Sequence, residues 1–282
     1  MSTPSLQPEG FEGEMARLEH KFRESAEELK ELRRRFRIGQ RARAEVRAEL
    51  AEIRDEWDEI HYKWWVLVLG TLVVFLITAY ALYMNLGWYA DQRALPPSSD
   101  WLLDRIPTVN LIPLLSWGWL ALHAYAVAIA LLYYPRKMPF LLFLLGIYLL
   151  VRTSFLFLSP IGAPERILDM RQLDSLFPMV VGVYTFQNEF IFSGHTAMPF
   201  LFALFFETRT QKGIMLAGSV AMAIAVILTH NHYTVDVLSA YFMGYAIFAL
   251  SRSLYFRRVR PLFLAAPHRE ANAAPGPSGP RG

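Results

Sequence analysis

Apolar residues in this chain gather in six long runs, near residues 64–88, 112–134, 138–158, 190–207, 213–230 and 233–252. Each is long enough to cross the hydrocarbon core of a bilayer as a helix, which takes roughly 17–25 residues. The last two runs nearly touch, so the pattern predicts a tight helical hairpin. Its turn carries "HNHYTVD", His230 to Asp236. The first run follows a long polar stretch and reads as a signal anchor rather than a cleavable signal peptide. The fold class expected is all-α: a polytopic six-span transmembrane helix bundle with an N-terminal cytoplasmic coiled-coil helix.

The polar stretch has its own period. With position a at Met15 and position d at Phe11, 12 of the 15 seam positions between residues 11 and 60 are apolar. Such a sustained heptad predicts a coiled coil over 11–62, and with it self-association on the cytoplasmic face. Ser25, Gly39 and Arg43 interrupt the seam. A bend or an antiparallel fold-back near Gly39 stays open, as does a solvated amphipathic helix along the membrane. Residues 1–10 and the Ala/Pro/Gly-rich tail 261–282 are expected to be disordered. The membrane domain is then 63–260.

Charge orients the spans. Lys63, Arg136, Lys137, Arg209, Lys212 and the arginines of 252–260 fall on one side, which is predicted to be cytoplasmic together with both termini. The other side mixes arginines with six carboxylates, and "HNHYTVD" faces it. The net charge of +3 follows membrane topology and argues against a nucleic-acid partner. The chain has no cysteine, which excludes disulfides and thiolate chemistry. The Arg/Ala-rich style favours a bacterial inner membrane, with the site on the periplasmic side; a lumenal side is the alternative.

Two motifs then change the picture. His232 and Asp236 lie four apart, so on a helix they share a face. The carboxylate can fix the imidazole tautomer and leave the other ring nitrogen as nucleophile or base. A helix cap or an interfacial anchor is the plainer reading, but ionisable residues at membrane depth are costly and usually functional. Upstream, "FSGHT" opens the fourth run on the same predicted face. Ser193 and Gly194 would stand at a helix N-terminus, where free N–H groups favour phosphate, and His195 can protonate a leaving oxygen. Two histidines, a carboxylate and an anion-binding helix end suit phosphoryl transfer through a phosphohistidine. Asn231 is placed to cap the last helix. His123 reads as a packed core histidine, and Trp117 and Trp119 as interfacial belt or core. No spacing suggests a metal site, and no cofactor is expected.

The pair "FSGHT" and "HYTVDVLSAYF" resembles the sphingomyelin synthase-related family. That family belongs to the type 2 phosphatidic acid phosphatase superfamily of lipid phosphatases and phosphotransferases. "GIYLLVRTSFLFLSPIGAP" is similar to the family's arginine segment, and the resemblance covers roughly residues 110–255. It implies that His232, held by Asp236, attacks the head-group phosphorus, and that His195 is general acid and then base. It also assigns Tyr148 and Arg152 to phosphate binding, with an interhelical arginine as the plainer alternative. Glu189 stands where sphingomyelin synthases carry an aspartate, and His230 and Tyr233 flank the site.

Two departures stand out. Val226 replaces an arginine usual in the superfamily's phosphatases, and no Lys-x6-Arg-Pro motif is found. The resemblance therefore implies a phosphotransferase moving phosphocholine or phosphoethanolamine from a glycerophospholipid to ceramide or another lipid alcohol, diacylglycerol included. A lipid phosphate phosphatase or a phospholipase C-like hydrolase is the alternative, and a non-catalytic scaffold the remote one. Residues 159–188 are long for a loop and read as either an outer lid or an interfacial helix over the site.

Overall fold

The computed structural model describes residues 62–93, 95–159, 161–169, 173–174 and 190–264, with scattered positions between 27 and 57. The chain divides into two compact units, Met1–Asp58 and Glu59–Gly282. In the first, every described position from Glu27 to Trp57 is helical. Leu50 and Trp57, both expected seam positions, are exposed. The heptad as a whole, the residues before 27, the tail beyond 264 and most of the expected lid lie outside the described residues.

The second unit is all helix among its described residues. α1 spans Tyr62–Asp91. A π-helical turn, Leu114–Gly118, leads into α2, Trp119–Tyr133. α3 spans Met138–Leu158. α4 spans Gly194–Phe205, α5 Arg209–Leu228 and α6 Thr234–Leu254. A second π-helical turn, Tyr255–Val259, joins α6 to the short α7, Arg260–Leu264.

Five of these stretches are long and apolar enough to cross a membrane: 65–89, 114–133, 135–158, 209–228 and 234–262. This fits a multi-pass membrane protein. Large apolar side chains such as Val74, Ile77, Leu238 and Phe242 point outward, as lipid requires and water would not.

The fourth predicted span differs. Instead of a helix over 190–207, α4 has 12 residues, about 18 Å of rise. The reason is local. Phe190, Ile191, Phe192 and Ser193 are buried but not helical, because the Arg152 side chain holds the carbonyls of Ile191 and Phe192. At the other end Phe206 is extended and breaks the helix. An apolar run longer than its helix therefore stood for a span.

The predicted hairpin is corrected as well. α5 and α6 are joined by five residues, 229–233, yet they hardly touch. α4 packs against both, and α6 also meets α3. Leu201 and Phe202 of α4, with Phe206 just past its end, are fully buried in the main core. The short helix thus joins α5 and α6, which it separates.

α1 lies on α3. A Cβ added to Gly146 would fall well inside contact with the Phe75 ring, so that glycine sets the approach of the two helices. At the end rich in Lys and Arg, Lys137 pairs with Glu207, and Tyr134 Oη donates to Gln211 over 2.6 Å. The opposite end carries the loops 95–112 and 161–169 and all the residues with candidate chemistry.

Candidate active site

α3 contributes two side chains one turn apart. Tyr148 and Arg152 are both buried. Burying a guanidinium is costly unless its donors are used. Arg152 Nη1 donates to the Ile191 carbonyl at 3.0 Å and to the Phe192 carbonyl, and the guanidinium lies over the Phe192 ring. It thus holds the bent, non-helical segment that leads into α4.

That segment ends at Ser193, the N-cap of α4. Ser193 is fully buried, and its Oγ has no hydrogen-bond partner. A serine in this position usually accepts from the N–H groups of the first turn, but here its Oγ does not cap them and remains for something else. Gly194 faces the arginine. A Cβ built on it would stand 3.4 Å from Tyr148 Oη and 3.5 Å from Arg152 Nη2. A helix N-terminus, a guanidinium and a phenol converge there on a space one methyl would fill. Such a cradle suits an oxyanion.

His195 is the next residue. Its ring lies near the backbone carbonyl of Leu115, on the π-helical turn, and within electrostatic range of His232 and Arg152. The Trp119 ring is 5.8 Å from it, centroid to centroid.

The turn 229–233 brings the second histidine. α5 ends with Ile227 and Val226 accepting from the N–H groups of His230 and Asn231. This double closure needs a left-handed residue, normally glycine, and His230 takes it at φ 54°. His230 is buried, and its Nε2 has no partner. Burial and the nearby Arg166 push its pKa below the ordinary histidine value, against the opposing pull of the Ile106 carbonyl, Asp100 and Asp104. Asn231 does not cap α6: its amide donates to the carbonyls of Leu168 and Thr229.

His232 Nδ1 lies 3.4 Å from Asp236 Oδ2, and both are buried. A carboxylate only accepts, so Nδ1 carries the proton and Nε2 keeps its lone pair. The contact is long for a charge-assisted bond, as is common in unliganded sites. The same Oδ2 takes the N–H of Tyr233 at 3.0 Å, so Asp236 also closes the first turn of α6. The Phe190 ring stands edge-on to His232.

An outer loop completes the end of the bundle. Asp100 accepts from Thr234 N at 2.6 Å and Thr234 Oγ1 at 2.8 Å, and from the N–H groups of Leu102 and Leu103. Burial alone would raise the Asp100 pKa; these four bonds outweigh it and hold the carboxyl below its ordinary value. Tyr233 Oη accepts from Ser98 N at 3.0 Å and donates to the Gly162 carbonyl at 2.9 Å. Tyr233 therefore ties two loops to α6 through both faces of its hydroxyl.

His195, His232, Asp236, Tyr148, Arg152, Ser193 and Gly194 thus gather at one end of the bundle. Tyr233 and His230 lie alongside, occupied with the turn and its loops. Glu189 lies outside the described residues. Sequence reasoning missed the parts played by Asp100, Leu115 and Trp119, none of which sits in a motif. The arrangement can hold a phosphate ester, present a nucleophilic nitrogen and supply a second histidine for proton transfer.

Residues 188–253 match the family model described as PAP2 superfamily C-terminal. The match takes in His195, His232 and Asp236 and stops short of Tyr148 and Arg152. It supports the type 2 phosphatidic acid phosphatase superfamily, and with it an enzyme of the membrane lipid phosphatase or phosphotransferase type. No curated protein matches the chain.

Proposed function

We propose that this protein is a membrane lipid phosphotransferase. It moves a phospho-head group, phosphocholine or phosphoethanolamine in class, from a glycerophospholipid to ceramide or another lipid alcohol. The observation that carries the reading is the cradle between Arg152, Tyr148 and Gly194, with His195 and the His232–Asp236 pair at the same end of the bundle.

In the first half-reaction His232 Nε2 attacks phosphorus. A P–N bond forms, and the P–O bond to the glyceride breaks as His195 gives its proton to the departing oxygen. Diacylglycerol leaves. In the second half-reaction the acceptor hydroxyl gives its proton to His195 and attacks phosphorus, and the P–N bond breaks. Arg152 and the N–H groups of α4 compensate the charge on the equatorial oxygens. Asp236 stabilises the cation on His232 while phosphorus is attached.

The topology proposed with this reading counts α4 as a sixth, short span. It puts both termini in the cytoplasm and the site on the periplasmic or lumenal face, following the lysine and arginine distribution. A bacterial inner membrane and self-association through the N-terminal heptad belong to the same proposal.

The test uses purified protein with labelled phosphatidylcholine and phosphatidylethanolamine, with and without ceramide. Diacylglycerol plus a new head-group-bearing lipid is the expected result. Diacylglycerol plus free phosphocholine makes the protein a phospholipase C instead, and inorganic phosphate released from phosphatidic acid makes it a phosphatase. Turnover unchanged in His232→Ala would overturn the phosphohistidine mechanism.

A further inference from the structure

His195 is one of two histidines in the proposed mechanism, but no carboxylate backs it among the described residues. Among those residues, groups on another helix border its ring instead. The candidates come from the start of α2, which carries no recognised motif.

The π-helical turn Leu114–Gly118 is the first part. In an α-helix the N–H of residue 119 would close on the carbonyl of residue 115. Here the Trp119 N–H reaches Leu114, one residue earlier, and Ser116. The Leu115 carbonyl of that wider turn lies near the His195 ring. Since a carbonyl only accepts, it favours a proton on the nearer ring nitrogen, while the other nitrogen carries the proton that goes to the leaving oxygen and returns from the acceptor hydroxyl.

Trp119 and His123 are the second part. Their rings lie 3.8 Å apart, centroid to centroid, and the Trp119 ring also reaches His195 at 5.8 Å. His123 Nδ1 bonds the Trp119 carbonyl at 2.8 Å, which fixes the His123 tautomer and locks the pair. The Phe202 ring of α4 closes the far side of His123 edge-on. The outer ring nitrogens, Trp119 Nε1 and His123 Nε2, are both buried without a partner. Two unpaired polar atoms in a packed core cost stability, which argues that the pair is kept for more than packing.

We infer that Trp119, locked by His123, is a positioning residue for His195: it holds that ring against the Leu115 carbonyl in a single tautomer, so that the other nitrogen serves the leaving and entering oxygens. The inference rests on the reading of His195 as general acid and base.

The test compares two substrates. Phosphatidylcholine has a basic leaving oxygen and needs a proton; p-nitrophenyl phosphocholine has a weakly basic one and does not. Followed in the first half-reaction alone, as a single-turnover release, Trp119→Ala is expected to lose about 100-fold or more on diacylglycerol from the lipid, the usual scale of general acid catalysis, but only about 3-fold on nitrophenol from the ester. Trp119→Phe keeps a ring and should restore most of the lipid activity. His123→Ala should behave as a milder Trp119→Ala. Equal losses on both substrates would make the pair merely structural and overturn the inference.

A second measurement is independent of turnover. In protein with 15N-labelled histidine, the His195 ring should show one tautomer in the wild type and in Trp119→Phe, and a mixture in Trp119→Ala. Unaltered ring signals in Trp119→Ala would overturn the inference. If the wild type turned over neither substrate, the proposed function would fail while this measurement still decided the positioning role.

Discussion

The backbone N–H of Ser193 donates to the backbone carbonyl of Asp236 over 3.0 Å. One hydrogen bond thus splices the start of α4 to the first turn of α6. The cradle and the His232–Asp236 pair are therefore a single mechanical unit, although 43 positions separate Ser193 from Asp236 in the sequence. Asp236 serves that unit twice, with its carbonyl on Ser193 and its carboxylate on Tyr233 N and His232.

The two roles of Asp236 can be separated. Asp236→Asn keeps the backbone splice and the shape but removes the charge that stabilises a cationic His232. We expect a folded protein whose phosphotransfer falls about 10³–10⁴-fold, comparable to removing the carboxylate from other histidine-based centres. Thermal unfolding and turnover on labelled phosphatidylcholine check the two halves. A variant with wild-type turnover would remove Asp236 from the mechanism.

Gly194→Ala should fold. The added methyl sits at ordinary contact distance from Tyr148 Oη and Arg152, so nothing must move. It fills the space where an oxyanion would lie. The expected outcome is an unchanged melting temperature with phosphotransfer lowered at least about 100-fold, the cost of losing a well-aimed anion contact. Full activity in this variant would place the phosphate elsewhere.

His230 offers a comparison of two substitutions. Both His230→Gly and His230→Ala lose the imidazole, but only glycine takes φ 54° without strain. The alanine variant should be about 1–2 kcal/mol less stable than the glycine one, the usual cost of a left-handed residue with a Cβ. Equal denaturation midpoints would mean that the turn relaxes out of this conformation.

The outer loop should be acid-sensitive. Asp100 has its pKa held below the ordinary 3.8 in the folded protein, so folding is favoured by its ionised form. Its contribution is fully present above about pH 4 and is lost as pH falls through the lower folded value. The melting temperature of the wild type should therefore drop more between pH 5 and pH 3, roughly the window around that carboxylate, than that of Asp100→Asn. Parallel pH profiles would contradict the assignment of Asp100 as the clasp on Thr234.

Much of this was legible in the sequence. Four of the six apolar runs became long helices close to the expected limits, the last extending through a π-helical turn to 262. The remaining long helix, α5, begins at Arg209 rather than 213. The four-residue spacing of His232 and Asp236 survived as a contact, although His232 lies in the turn just before the N-cap Tyr233 and only Asp236 is on α6. The short α4 was not legible. Phe190 to Phe192 are as apolar as a helix core, and composition does not say that Arg152 binds the carbonyls of Ile191 and Phe192 ahead of the helix. Nor was the clasp: Asp100 and Thr234 are 134 residues apart, and no local period connects them. His230 hid a glycine-like position behind a reactive-looking letter. Trp119 and His123 looked like belt and core because the π-helical turn that aims them has no sequence signature of its own.

The long reach of Asp100 to Thr234 has a consequence for how the protein is made. Synthesis proceeds at about 5–20 residues per second, so some seconds pass between the appearance of the clasp and of its partner. During that interval the first spans can already lie in the membrane while Asp100, Ser98 and Gly162 have no α6 to bind. Chemical competence then arrives late and all at once, with the last span, and a chain stalled before Thr234 is an inserted but inert precursor.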